Sequence, residues 1–185
     1  MTPAKIAFPG FTAPAAGFEA PLEMLAACHG RVERQCQTLQ RLVPHLAANG
    51  ADQAAREAAQ NVMRYFDTSA PHHHADEEED LFPALLGSAP ETELAPLRDL
   101  IGALRAQHRE LEQAWQQLRW KLEGVWLGTM RELDADEVQR LVELYRSHIA
   151  QEDEALLPAA TRILGTAQLD AIGRAMRARR GIKDL

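Results

Sequence analysis

A spacing limits what this chain can fold into more than anything else in it. Leu97, Ile101, Leu104, His108, Leu111, Trp115, Leu118, Leu122 and Val125 recur alternately four and three positions apart, which puts all nine on one face of a single long helix. Three other stretches repeat the pattern. Leu22, Leu25, His29, Val32, Cys36, Leu39 and Val43 predict a helix from Pro21 that stops at Pro44. Ala55, Ala59, Val62, Phe66, Ser69, His73 and Glu77 predict a second from about Asp52, in phase across Pro71, so that this proline bends the helix without ending it. Pro83, Gly87-Ser88-Ala89-Pro90 and Pro96 read as the connection to the third helix, which Gly128 closes. Asp134 with Glu137 reads as a capping box opening the fourth, whose stripe is Val138, Leu141, Tyr145, His148, Glu152 and Ala155. No segment alternates with period two.

The expected fold is therefore all-α: an antiparallel up-and-down four-helix bundle over residues 21–160. A Pro/Gly-rich arm, 1–20, precedes it, and a short C-terminal helix from about Ala167 to Arg179 with its tail, 161–185, follows. At 185 residues the chain suits one domain. A net charge of −7 argues against a nucleic-acid surface. No apolar run approaches the roughly 20 residues that cross a bilayer, and the start of the chain lacks the basic region and apolar core of a signal segment, so a cytoplasmic, non-membrane protein is expected.

Each of the four stripes carries one histidine: His29, His73, His108 and His148. A lone histidine on an apolar face is usually a hydrogen-bonded core residue. Four buried imidazoles need polar partners that the neighbouring leucines cannot supply. Glu77 and Glu152 stand four positions after His73 and His148, on the same helical faces and one turn away. Two such His/Glu pairs facing each other inside a bundle can hold two metals between them. Mixed imidazole and carboxylate donors suit iron, zinc or manganese.

The pattern is also an internal repeat. HHADEEEDLFPAL (His73 to Leu85) aligns with HIAQEDEALLPAA (His148 to Ala160), with an acidic cluster, two apolar residues and a proline in register, and His29 and His108 each have Glu at plus four, Glu33 and Glu112. Two related helix pairs imply a pseudo-twofold axis through the site.

On the first-helix histidine in LAACHGRVERQC, on HHxxEEEDLFP, on RAQHREL and on HxxxEDEALLP, the chain resembles the hemerythrin-like, or HHE cation-binding, domain family over most of Pro21 to Pro158. The resemblance implies a four-helix bundle holding two non-heme, carboxylate-bridged iron ions, with His29, His73, Glu77, His108, His148 and Glu152 as ligands and the two glutamates bridging. It departs in one respect. Oxygen-carrying members place two histidines four apart on the third helix, whereas Leu104 and Glu112 flank His108 here. That argues against reversible oxygen carriage and leaves Tyr145 and Glu112 as the nearest residues to fill the gap, against their simpler roles as a core aromatic and a solvent-facing or hydrogen-bonding acid.

The remaining features have plainer readings. His72 and His74 lie about 100° to either side of His73 and are expected at the surface or behind the ligands; His45, in a loop after Pro44, is expected to have no role. Cys28 and Cys36 point in different directions on one helix and cannot bridge; Cys36 is a core residue, and Cys28 is either that or a redox-sensitive thiol. Trp115 packs, while Trp120 and Trp126 are loop or interface residues. The function expected is a di-iron protein that binds a small diatomic or peroxide ligand (O2, NO or H2O2) and is more a binding protein than an enzyme. The alternative is an iron-sensing module acting through a protein partner at the C-terminal helix and the Trp126 region. Neither protein partner nor oligomeric state is legible.

Overall fold

The computed structural model describes residues 17–182, which are helical throughout apart from short connections and contain no strand. Residues 1–16 of the expected arm lie outside this range. Four long helices dominate: α1 (Pro21–Asn49), α2 (Gln53–Ala75), α4 (Glu91–Leu127) and α5 (Ala135–Gln151). α1 packs on α2 and α5, and α4 packs on the same two, so each long helix has two neighbours in a closed ring, as a four-helix bundle requires. Short helices α3 (Phe82–Ser88) and α6 (Leu157–Ile163) extend α2 and α5, and α7 (Thr166–Arg179) packs against α1.

Two prolines behave differently from the expectation. α1 does not stop at Pro44 but runs on to Asn49. An internal proline costs a hydrogen bond and about 3 kcal/mol; here the helix continues because Leu42 and Leu46, on either side of the proline, are both in the core. α4 begins at Glu91 and carries Pro96 inside it, so the expected connection shrinks to Ala89–Pro90. α2 runs through Pro71 as expected. Gly128 ends α4 at φ 76, a left-handed conformation that glycine adopts without strain. The Asp134 carboxylate accepts from the backbone N–H groups of Asp136 and Glu137, while the Glu137 side chain pairs with Lys121 and leaves the other half of the box unused.

Between α2 and α3, and again between α5 and α6, the helix widens for one turn. The Phe82 N–H donates to the Glu77 carbonyl and the Leu157 N–H to the Glu152 carbonyl, five residues back. These are π turns, Asp76–Leu81 and Glu152–Leu156, an irregularity often found at functional sites. Each is followed by a proline, Pro83 or Pro158, that has no N–H with which to resume the regular ladder. At the second turn the stripe shifts accordingly, with Ala155 exposed and Leu156 buried in its stead; on α2, before the first turn, Ala70 is buried where Ser69 is exposed.

The core falls into two parts. One holds Val32, Ala70, Leu111, Tyr145 and Ile149 with their neighbours; the other holds Leu25, Leu81, Leu104, Leu156 and Met176 with theirs. On every long helix the histidine or glutamate of the stripe lies between the two, so the polar layer is capped by apolar side chains on both sides. α7 closes the second part. A Cβ on Gly173 would stand 2.0 Å from the Phe18 carbonyl oxygen, so only glycine lets the two backbones approach, and Arg177 and Arg180 lie over the Phe18 ring at 5.4 and 5.9 Å.

Candidate metal centre

All six expected ligands meet in the middle of the bundle. α1 contributes His29, α2 His73, α4 His108 and α5 His148, while the two π turns contribute Glu77 and Glu152, both 0% exposed. His29 Nε2 stands 2.9 Å from Glu152 Oε2, His148 Nε2 3.0 Å from Glu152 Oε1, His108 Nε2 3.3 Å from Glu77 Oε2 and His73 Nε2 3.5 Å from Glu77 Oε1. Longer approaches of 3.8 and 3.9 Å join Glu152 to His73 and His108. Glu152 is thus within 4 Å of four imidazoles and Glu77 of two.

The directions of these atoms matter more than their distances. Among the described residues, the buried side-chain nitrogens and oxygens without a hydrogen-bond partner are both oxygens of Glu77 and of Glu152, Nε2 of His29, His108 and His148, Nδ1 of His73, and one atom elsewhere, Arg105 Nε. The imidazoles and carboxylates approach closely without the alignment a hydrogen bond needs. Leaving so many buried donors and acceptors unsatisfied is costly, and one arrangement relieves the cost: a cation at the point where the lone pairs converge. Ligand atoms of His29, His73, Glu77 and Glu152 lie within 4.8 Å of one another, as do those of Glu77, His108, His148 and Glu152. These are two adjacent groups sharing both carboxylates.

The far nitrogens of three of these rings are held from outside. Nδ1 of His29 is 2.8 Å from Asp153, Nδ1 of His108 is 2.7 Å from Glu78, and Nδ1 of His148 is 2.9 Å from Gln107. Such partners fix ring orientation and turn the Nε2 lone pair inward. In the fourth ring, His73, the far nitrogen Nδ1 has no hydrogen-bond partner, and the nearby Cys28 thiol interacts with the ring electrostatically. Burial raises the Cys28 pKa, but His73 and Arg31 outweigh it and hold the thiol below its ordinary value. Both cysteines are free and buried, and burial pushes Cys36 up to about 12.

Charge within the cluster is divided unevenly. Burial works against the protonated imidazoles, yet the carboxylates raise His29 above its ordinary value, His73 well above it, and His108 to about 9. Burial raises Glu152 too, but contacts with four histidines hold it well below the usual carboxylate range, whereas burial and the neighbouring Glu152 push Glu77 up.

Several residues sit differently from their expected places. His74 is the residue missed: it belongs to the cluster, its ring stacked 4.0 Å from His108 and 5.8 Å from His148. Its neighbour in sequence, Glu77 three positions on, carried the helical phase, but the pull of α4 and α5 on this side of α2 is not written there. His72 is half-buried and takes no part in the cluster. His45, far from idle, lies within α1, one turn before its last, with Nε2 2.9 Å from Asp52, the residue that caps α2. Tyr145 is buried with its ring 5.2 Å from Phe66, Glu112 is exposed, and neither hydrogen-bonds a histidine of the cluster. Both line a cleft of about 600 Å3 that reaches the cluster at His74 and His108, with Phe66 and Trp115 on its apolar wall. Trp115 is buried with Nε1 donating to Asp67; Trp120 and Trp126 are exposed on α4.

The hemerythrin HHE cation-binding domain matches residues 20–160, which contain every residue of the cluster. The chain belongs to the hemerythrin HHE cation-binding family. A protein of Haemophilus influenzae, described as an uncharacterized protein, is 35% identical over 164 residues, spanning 89% of this chain and 92% of its own. With the family comes cation binding by a buried His/Glu cluster inside a helical bundle, and no described helix is long and apolar enough to cross a membrane.

Proposed function

We propose that this HHE domain is an antiparallel bundle, spanning residues 21–160, that binds two iron ions and uses them to capture a small diatomic or peroxide ligand. His29 and His73 serve one ion, His108 and His148 the other, and Glu77 and Glu152 bridge them. The carrying observation is the convergence of buried, unpartnered oxygens and nitrogens on two points that share both carboxylates. A bound iron pair supplies electrons and open coordination positions to a small ligand. The protein residues do the rest. Asp153, Glu78 and Gln107 hold the imidazoles in one tautomer, the two apolar parts of the core exclude bulk water, and the cleft beside Trp115 admits a ligand from solvent. The sequence charge of −7 fits a ligand that is a small molecule and not a nucleic acid, and the cytoplasm is the compartment we propose for it.

Metal analysis of the protein purified from iron-replete cells, beside a His73→Ala, His148→Ala double variant, tests this reading. About two irons per chain in the first, as expected of a carboxylate-bridged pair in a bundle, and near none in the second support it; near none in both sinks it. Exposed Trp120, Trp126 and Leu127 at the end of α4 favour one second reading, in which iron controls a partner surface. Under that reading iron-loaded reduced protein leaves O2, NO and peroxide unchanged, and iron alters the fluorescence of these tryptophans.

A further inference from the structure

We propose that His74 is a metal ligand, the third imidazole of the position served by His108 and His148. This rests on the two-iron reading above and makes its two positions unequal, with three imidazoles against two.

His73 and His74 are adjacent on α2, so their side chains diverge by about 100°. His73 turns toward α1, its ring 5.2 Å from that of His29, and His74 turns toward α4 and α5. Ligand nitrogens of His74, His108 and His148 lie within 4.8 Å of one another, the same closeness found in the two groups that share Glu77 and Glu152. Nδ1 of His108 and of His148 is occupied by Glu78 and Gln107, which leaves the Nε2 of each ring for the centre.

A packing role explains His74 poorly. No described side chain hydrogen-bonds its ring, whereas His45, a histidine with a structural contact, has Asp52 at 2.9 Å. The internal repeat gives the sharper comparison. His74 follows His73 as Ile149 follows His148, and Ile149 is a buried core residue. Where only packing is needed, the repeat uses an aliphatic side chain. The residue also belongs to α2 and not to the third long helix, so the gap left by Leu104 and Glu112 is filled from a different element. Its ring borders the cleft, where a small molecule can reach it.

The test uses the full chain as wild type and as His74→Ile, His74→Gly and His72→Ala variants. Iron(II) is titrated against a competing chelator, and the 57Fe-loaded proteins are compared by Mössbauer spectroscopy. His74→Ile installs what the other half of the repeat carries and so preserves packing. Wild type is expected to show two iron environments of equal area. His74→Ile weakens one of the two binding steps by at least about 10-fold, the lower end of what outer partners of ligands are worth, and shifts one environment only. Imidazole added to His74→Gly restores the lost step, and His72→Ala matches wild type. Unchanged titrations and spectra in both His74 variants overturn the proposal, as does equal weakening of both steps. A wild-type protein that takes up no iron overturns the two-iron reading itself, a different result from either.

Discussion

The two halves of the repeat build the same turn and secure it in opposite ways. In both, a π turn presents a buried glutamate, and the acid next to that glutamate reaches across the centre to the first histidine of the other half: Glu78 to His108, and Asp153 to His29. One position earlier the halves part. In the first half stands Asp76, 0% exposed, its carboxylate gripped by Arg179 and Arg180 from α7 at 2.5 and 2.6 Å, while Arg179 also reaches Glu79 and Asp80. Its counterpart is Gln151, whose side chain accepts from Gln107, which in turn accepts from His148. A neutral amide relay does in one half what a buried ion cluster does in the other. The neutral relay needs only residues of the bundle, whereas the charged one makes the first turn dependent on a helix outside it.

Breaking the carboxylates is expected to have the largest effect. Glu152 touches four imidazoles and Glu77 two, so Glu152→Gln lowers iron affinity well over about 100-fold and Glu77→Gln about 100-fold, judged against the 10- to 100-fold cost of disturbing mere outer partners. Chelator competition reads both, and the reverse order would break the ranking. Next comes the clasp. Replacing Arg179 and Arg180 by alanine leaves the Asp76 carboxylate buried without a partner and costs about 3–5 kcal/mol in urea unfolding, against about 1 kcal/mol for Gln151→Ala, which removes one neutral hydrogen-bonded partner. Equal costs would mean that the halves are secured alike. Smaller still, Glu78→Gln and Asp153→Asn each lower iron affinity about 10-fold, at the His108 position and the His29 position respectively, a distinction that the 57Fe spectrum resolves.

The smallest effect is a pH slope. In protein stripped of metal, burial opposes protonation of His108, but Glu152, Glu77 and Glu78 raise its pKa to about 9 from an ordinary 6.5. The folded state then binds this proton more tightly than the unfolded one, so the stabilisation is complete below pH 6.5 and lost as pH rises through about 9. His29 and His73 shift in the same direction. Thermal unfolding of the stripped protein should therefore occur at lower temperature at pH 9 than at pH 6.5, with a shallower slope in His108→Gln; a flat profile in the wild type removes the assignment of charge to the cluster.

Much of this was legible in the sequence, and the exceptions share a cause. The helices and the six clustered residues follow from local periodicity and from a repeat that holds its register through Pro83 and Pro158. The continuation of α1 past Pro44 was not legible, because whether a helix survives a proline depends on what its next turn buries. The π turns left only a trace, in two prolines standing ten residues after a histidine with no break in the apolar pattern. His74 looked peripheral because its partners are on α4 and α5, and the Arg179 and Arg180 contacts with Asp76 were hidden by distance along the chain. Periodicity reports which face of a helix is inward; it does not report which neighbour fills the space beyond.

The Asp76–Arg179 pair spans 103 residues, and synthesis gives that span a direction in time. A chain leaving the ribosome has displayed every histidine and glutamate of the cluster before the arginines that steady the first turn have been made. Until α7 has been made, the donors of the cluster are present but Asp76 has neither of its arginines. A product cut short after α6 would carry the complete donor set beside an aspartate that lacks both of its arginine partners.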